Sequence, residues 1–356
     1  MNRKSLNRAA IAIWVFWLAG CSQKTAIQFT KPAEIDVGGI KRIAIMDFRG
    51  PENSGANAAS VFASKLFETG FYTIVERAEL QKILEEHALS LSGVVDPETA
   101  VQAGNVLGVQ GVVVGDVLAY RCEDRRGREK EKRQVWTGEY EKDKDGNYVY
   151  EKSIFGKKVR KKVYRDEWVD VEVLTREANV GLSFRLIDVQ SGQVIATREA
   201  SHSYNKKVKT EQESLPPKDN ILTELGLRCI NDFVRVLAPH PETVMAEFAG
   251  GGSEVDKGVE FAKNGLWDKA QTIWQGVVEE EPQNHAAWYD LGLSLEAQGL
   301  YSDAQDAYDR AVNLKPKSLY IKALKRIRER IEDNRRLQEQ LRKQREAEQK
   351  AEEEES

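Results

Sequence analysis

Apolar and polar positions fall into blocks of different period along the chain. The first block is an apolar stretch, Ala9 to Gly20, behind the basic residues Arg3, Lys4 and Arg8. It is shorter than the about 20 apolar residues that cross a bilayer, and its basic start and small closing residues have the make-up of an export signal. Residues 21–40 are polar with little periodicity and predict a tether. From Lys41 the pattern sharpens. Ile43-Ala-Ile-Met-Asp-Phe48 is a short apolar run of the kind that makes a buried strand. Ala58, Val61, Phe62, Leu66 and Phe67 recur at helical spacing, and Gly70 marks the stop. Tyr72–Val75 predicts a second strand, and Ala78–Leu89 a second helix with Leu80, Ile83 and Leu84 on one face. Asp96-Pro97 opens a third helix, the Asp capping free N–H groups and the Pro suiting the first turn. Gly111–Tyr120 reads as a third strand. Asn179–Val189 and Gln193–Tyr204 flank the turn Gln190-Ser-Gly192 as a hairpin, and Asn220–Leu237 is a fourth helix. Strands alternating with helices predict a layered α/β domain over residues 41–241.

Inside that domain lies a charge-dense segment. Residues 121–176 hold 17 basic and 13 acidic residues, yet the pattern stays β. Trp136, Tyr140, Tyr148 and Tyr150 surround the turn Lys144-Asp-Gly-Asn147, and Val169, Val171 and Val173 alternate within Val163–Thr175. The reading is an insertion of solvated hairpins projecting from the core.

After the flexible joint Gly250-Gly-Gly-Ser253 a period of 34 begins. Gly258 pairs with Gly292, Gly265 with Gly299, Ala270 with Ala304, Trp274 with Tyr308 and Pro282 with Pro316. Trp288, Leu291, Gly292, Ala304, Tyr308, Ala311 and Pro316 resemble the tetratricopeptide template in order and spacing. Residues 254–318 are therefore expected to be an all-α helical-hairpin module. Trp274, Trp288, Gly292, Ala304, Tyr308 and Pro316 would be its packing positions, with small Gly and Ala admitting the large rings. Residues 319–356 predict a capping helix that runs on as a solvated, charged helix.

Charge and composition narrow the function. With 53 basic and 57 acidic residues in 356, the net charge is −4, which excludes binding to nucleic acid through bulk positive charge. Three Cys and four His exclude a disulfide scaffold and a multi-site zinc protein. An exported compartment permits a disulfide between Cys122 and Cys229; two separate thiols are the alternative, and the sequence leaves both open. His87, His202, His240 and His285 are scattered, and the chain has no Cys-x-x-Cys pair. Gly104, Gly108, Gly111 and Gly115 lead into a strand rather than out of one, so they fit tight packing and not a phosphate loop. Asp47 at the end of the first strand reads as a loop cap. No catalytic residue, metal site or cofactor is expected. The basic stretch Lys157–Lys162 has two readings, a solvated face or a surface for lipid headgroups or peptidoglycan.

Two resemblances carry the reading further. Leu18-Ala19-Gly20-Cys21 resembles the lipobox of bacterial lipoproteins, which implies removal of residues 1–20 and acylation of Cys21. Ser22, rather than Asp, resembles the pattern of export to the outer membrane. The second resemblance rests on Asp47-Phe48, Phe71-Tyr-Thr-Ile-Val-Glu-Arg77, Leu80-x-x-Ile-Leu-Glu-Glu86, Leu91-Ser-Gly-Val-Val-Asp96, Ala103-Gly-x-x-Leu-Gly108 and Gly111-Val-Val-Val-Gly115. Together these resemble the CsgG/HfaB family of curli production assembly/transport components. The resemblance implies a structural and secretion role, not an active site, and its curli transporters form oligomeric outer-membrane pores from two hairpins per subunit. Here one candidate strand face reads Val159, Lys161, Val163, Arg165, Glu167, Val169, and each basic residue facing lipid costs about 2–4 kcal/mol at mid-bilayer. The expectation is a non-enzymatic lipoprotein on the periplasmic face of the outer membrane. It would hold the membrane by its lipid, dock protein partners on the repeats and self-associate through the CsgG-like domain. The alternatives are a secretion pore for surface polypeptides and an activator of a cell-wall synthesis enzyme.

Overall fold

The computed structural model describes residues 23–86 and 97–355. The expected leader with Cys21, the end of the second helix and the Asp96 cap lie outside the described residues. In chain order the elements are β1 (Lys24–Lys31), β2 (Arg42–Ile45), α1 (Ser54–Glu68), β3 (Thr73–Ile74), α2 (Arg77–Glu86) and α3 (Pro97–Leu107). They continue with β4 (Gly111–Tyr140), β5 (Tyr150–Lys152), β6 (Lys158–Arg160), β7 (Lys162–Asp188), β8 (Val194–Lys209), α4 (Lys218–Leu237) and β9 (His240–Glu247). The helices α5 (Ser253–Lys263), α6 (Trp267–Glu280), α7 (His285–Ala297), α8 (Tyr301–Leu314) and α9 (Ser318–Glu355) complete the chain. Contacts divide the described residues into a sheet unit, within 33–240 with the end of α9 from Glu339, and a helical unit, residues 23–32 with 241–338.

The sheet unit is built on the strand order β3-β2-β4-β7-β8. β2 runs parallel to β3 and β4, and β4, β7 and β8 are antiparallel. Ile43, Ile45 and Val113 face one core with α1 and α4, while Ala44, Met46, Val112 and Val114 face a second core with α3. Burial on both faces explains why these strands read as unbroken apolar runs. Phe62 of α1, Phe184 of β7 and Phe233 of α4 form the centre of the first core, with ring centroids 4.6–5.8 Å apart. At Gly104 an added Cβ would lie 2.3 Å from Val189, so this glycine serves close helix–strand packing.

β4 does not end at Tyr120, as the hydropathy suggested, but runs on to Tyr140 against β7. Beyond the last β8 pair, Val173–Lys209, the two strands continue alone as a ribbon of about 40 Å, at roughly 3.4 Å per residue. Charge alternates across both of its faces. Lys132 pairs with Asp166 at 2.8 Å on one, and Arg133 with Glu131 at 2.9 Å on the other. Apart from Val171 at its base, which is buried, water rather than a core surrounds this segment, so its hydropathy concealed its length.

The C-terminal part of α9 is not fully solvated, contrary to expectation. Gln340 is buried in the sheet unit, where its amide accepts from Ala33 N at 2.9 Å and donates to Ala33 O at 3.0 Å. Lys343 pairs with Asp36 at 2.6 Å, and Gln344 donates to Phe71 O. These polar side chains satisfy backbone groups of residues 33–71, which an apolar stripe cannot reveal.

The helical unit stacks α5 to α8 as two antiparallel pairs, followed by the first part of α9. It corrects the expectation of a loose tether. Lys24–Lys31 is a strand paired with β9, and Thr25, Ile27 and Phe29 point inward while the residues between them face out. Ile27 is 1% exposed and belongs to the same core as Trp274, Tyr289 and Tyr308.

Candidate interaction surfaces

The far end of the ribbon carries the densest group of exposed aromatic and basic side chains among the described residues. Beyond Tyr140–Lys162 the chain makes two further turns. In the first, Asp143-Lys-Asp-Gly-Asn147, Asp143 accepts from the backbone N–H groups of Asp145 and Asn147, both at 2.9 Å. The N–H of Asn147 is the main reason its carboxyl is held below the usual range. The second turn, between β5 and β6, is Ser153-Ile-Phe-Gly156, closed by Gly156 N–H donating to Ser153 O at 2.8 Å. Gly156 has φ +74°, a conformation that favours glycine. Ile154 and Phe155 stand at its apex, 95% and 84% exposed.

Behind the apex the rings and cations interleave. Trp136, Tyr140 and Tyr148 form a chain with centroids 5.7 and 6.2 Å apart. Arg160 lies over Tyr148 at 4.2 Å, Lys162 over Trp136 at 4.8 Å and Lys158 over Tyr150 at 4.8 Å. Such contacts at exposed sites are worth about 0.5–1 kcal/mol each, and together they order the ribbon end. Trp136 Nε1 also donates to Glu139 O at 2.9 Å.

The second surface is the helical unit, where the residues read as packing positions sit as follows. Trp274 is fully buried and donates from Nε1 to Val255 O at 2.9 Å, over Gly258, where a Cβ would lie 2.4 Å from the indole. Tyr308 stands over Gly292 in the same way, at 2.6 Å, and Ala304 is buried on the same helix. Trp288 is half-buried and donates to Pro282 O at 3.0 Å; Pro316 lies exposed between α8 and α9.

The face formed by α5, α7 and the start of α9 is the concave side that repeat modules offer to ligands. Here β1 runs across it. Tyr289 donates to Glu247 O at 2.9 Å, Phe29 lies under the Arg330 guanidinium at 3.6 Å, and α7 is buried on all sides. Two carboxylates missed by the sequence reading close this face. Asp290 accepts from Ala249 N and Gly250 N at 2.8 and 3.1 Å, and burial pushes its carboxyl up to about 7. Glu296, fully buried, accepts from Tyr308 Oη at 2.6 Å and from Arg326 through two bonds of 2.7 and 2.8 Å, with Arg330 Nε 2.8 Å away. The one available signal was an acid inside a run that the repeat template makes helical and buried.

Among the described residues the groups of chemical interest do not converge. Cys122 and Cys229 are separate thiols, and burial pushes Cys229 up to about 11, well away from a reactive thiolate. His202 Nε2 lies 2.7 Å from Asp232 on the β8–α4 surface. Among the described residues no three His, Cys, Asp or Glu side chains gather as metal ligands. A groove of about 250 Å³ between α1 and α4 is lined by apolar residues such as Ala58, Val61, Leu222 and Ile230.

A family profile described as curli production assembly/transport component CsgG matches residues 35–212, half of the chain. The chain belongs to the CsgG family. The match takes in the whole ribbon and ends at the close of β8, so the ribbon is part of the CsgG-type unit. A tetratricopeptide repeat profile matches residues 255–318 of the helical unit. Both families are non-catalytic scaffolds or pores, and the repeat marks the helical unit as a protein-interaction module. Among solved structures, the PelC dodecamer from Paraburkholderia phytofirmans is 14% identical, with 60% of this chain and 98% of that chain covered and a TM-score of 0.26. Lipoprotein GNA1162 from Neisseria meningitidis is 13% identical over 54% of this chain and 97% of that chain, with a TM-score of 0.29. MamA from Desulfovibrio magneticus RS-1 is 26% identical over 27% of this chain, which spans about half (55%) of that one, with a TM-score of 0.22. No curated protein matches the chain.

Proposed function

We propose that this protein is a non-enzymatic lipoprotein scaffold, held by an acylated Cys21 on the periplasmic face of the outer membrane. Its CsgG-type unit assembles with further copies or with an envelope partner, and its repeat unit docks a second protein. The observation that carries the reading is the ribbon. A 40 Å arm ending in exposed aromatic and basic side chains is built to touch another surface. With β1 lying across the concave face of the repeats, a partner docks on the outer helices or replaces β1.

Fractionation of cells expressing the wild type and Cys21→Ser tests the anchor. The wild type is expected in the outer-membrane fraction, and the variant, which loses the acylation site and keeps its apolar leader, outside that fraction; an unchanged distribution refutes the anchor. Cross-linking in the same cells tests the scaffold, which requires two sets of adducts: those of the CsgG-type unit, lost when residues 128–172 are replaced by a short turn, and those of the repeat unit, which persist.

A pore for secreted polypeptides is the second reading, favoured by the family's own description and by the paired ribbon. Against it stand the ion pairs on both ribbon faces, since one face of a membrane strand must meet lipid. Planar-bilayer conductance of the detergent-purified protein separates the two: the scaffold gives none.

A further inference from the structure

We propose that the Ser153–Gly156 turn at the ribbon end is a lipid-docking tip, which seats Ile154 and Phe155 in the headgroup–acyl boundary of an anionic bilayer. The two turns at the ribbon end make the case by contrast. Asp143–Asn147 has the polar residues that suit a turn in water. Its neighbour places an isoleucine and a phenylalanine at the equivalent apex, 95% and 84% exposed. Turn geometry does not require either residue, and no described part of the chain covers them.

The charge around the apex fits one kind of partner. From Tyr150 to Lys162 there are six basic residues, Lys152, Lys157, Lys158, Arg160, Lys161 and Lys162, against the single acid Glu151. Lys161 is paired with Glu141 at 2.6 Å, while Lys152 and Lys157 are exposed and pair with none of the described residues. Along the axis the polarity therefore runs from an apolar apex through lysines to a belt of Tyr and Trp rings, and then to the charge-rich ribbon. This sequence reproduces the profile of a bilayer surface passed from acyl chains outward, where aromatic rings sit at headgroup level. The four residue steps from Tyr150 to Ile154 reach about 13 Å, which suits interfacial seating about 5–10 Å deep and falls short of the roughly 30 Å hydrocarbon core. A carbohydrate or acidic polymer would engage the lysines but leave the two apolar side chains in water.

The test uses the full chain carrying Cys21→Ser, so that acylation plays no part, floated with vesicles of phosphatidylcholine alone or with phosphatidylglycerol. The N-terminal apolar stretch contributes equally to every variant, so differences report the tip. Vesicles with phosphatidylglycerol should bind at least tenfold more tightly. Ile154→Ser with Phe155→Ser should weaken that binding at least tenfold. Lys157→Gln and Lys158→Gln should each weaken it by about fivefold, the effect of one basic residue near an anionic surface. Lys144→Gln in the other turn should change it by less than twofold. Phe155→Trp should add blue-shifted emission that brominated lipid quenches. Equal binding of the tip variant and its parent, or emission at position 155 that vesicles leave unchanged, overturns the proposal. Both apex side chains are exposed, so unchanged thermal unfolding of the variants confirms that folding is not the cause.

Discussion

Replacing Ile27 by Ala tests whether β1 belongs to the helical unit. Ile27 is almost wholly buried among the rings and aliphatic side chains of α5 to α8. The change deletes three carbon groups, each worth about 0.8 kcal/mol of burial, or about 2.4 kcal/mol in all. The unfilled space adds to this, so a loss of about 3 kcal/mol is expected. Because β1 lies at the margin of the unit, the loss should appear first as local opening of the β1–β9 pair. Three kcal/mol corresponds to a factor of about 150 in the opening equilibrium. Amide hydrogen exchange read by mass spectrometry, on peptides covering Lys24–Lys31 and His240–Glu247, should show that acceleration. Gln28→Ala, on the solvent side of β1, should leave exchange within about twofold. If the β1 amides of the wild type already exchange at the rate of an open chain, or if Ile27→Ala leaves them protected, the strand is not seated on the repeat face and that face is free.

Other consequences concern packing, pH and thiol chemistry. Gly292→Ala would set a methyl 2.6 Å from the Tyr308 ring, so despite the better helix propensity of Ala the helical unit should lose about 1–2 kcal/mol in urea titration. Asp290 titrates near 3.8 in the unfolded chain and about 7 in the fold, so the folded state holds the extra proton between those values. Its contribution is therefore fully present below pH 4 and is lost as pH rises through 7, by up to about 4 kcal/mol; Asp290→Asn should flatten this part of the stability profile. Cys229 should resist iodoacetamide in the native protein at pH 7.5 and be alkylated in urea, read by peptide mass; ready native labelling would contradict its burial.

The sequence by itself determined the elements whose residues meet a single kind of environment. The runs Ile43–Met46 and Gly111–Val114 are apolar because both faces of their strands are buried, and that pattern is complete in the local chain. The 34-residue period was equally legible, since Gly258 beneath Trp274 and Gly292 beneath Tyr308 repeat one steric solution twice. Of the motifs that carry the CsgG likeness, Gly111–Gly115 overlaps one of these strongly patterned segments. Tertiary structure alone decided the rest. Thr25, Ile27 and Phe29 alternate over too few residues to announce a strand until β9 and the repeat helices supply a partner and a core. Gln340 and Gln344 look solvated until the chain brings Ala33 and Phe71 to them, because a polar side chain is buried only where a specific backbone group satisfies it. The ribbon's length was hidden for the opposite reason. Its strands pair with each other and bury little beyond Val171, so the alternation of Val169, Val171 and Val173 marked a strand without showing its reach, and the two apolar residues at its far end took on meaning only when the fold left them uncovered.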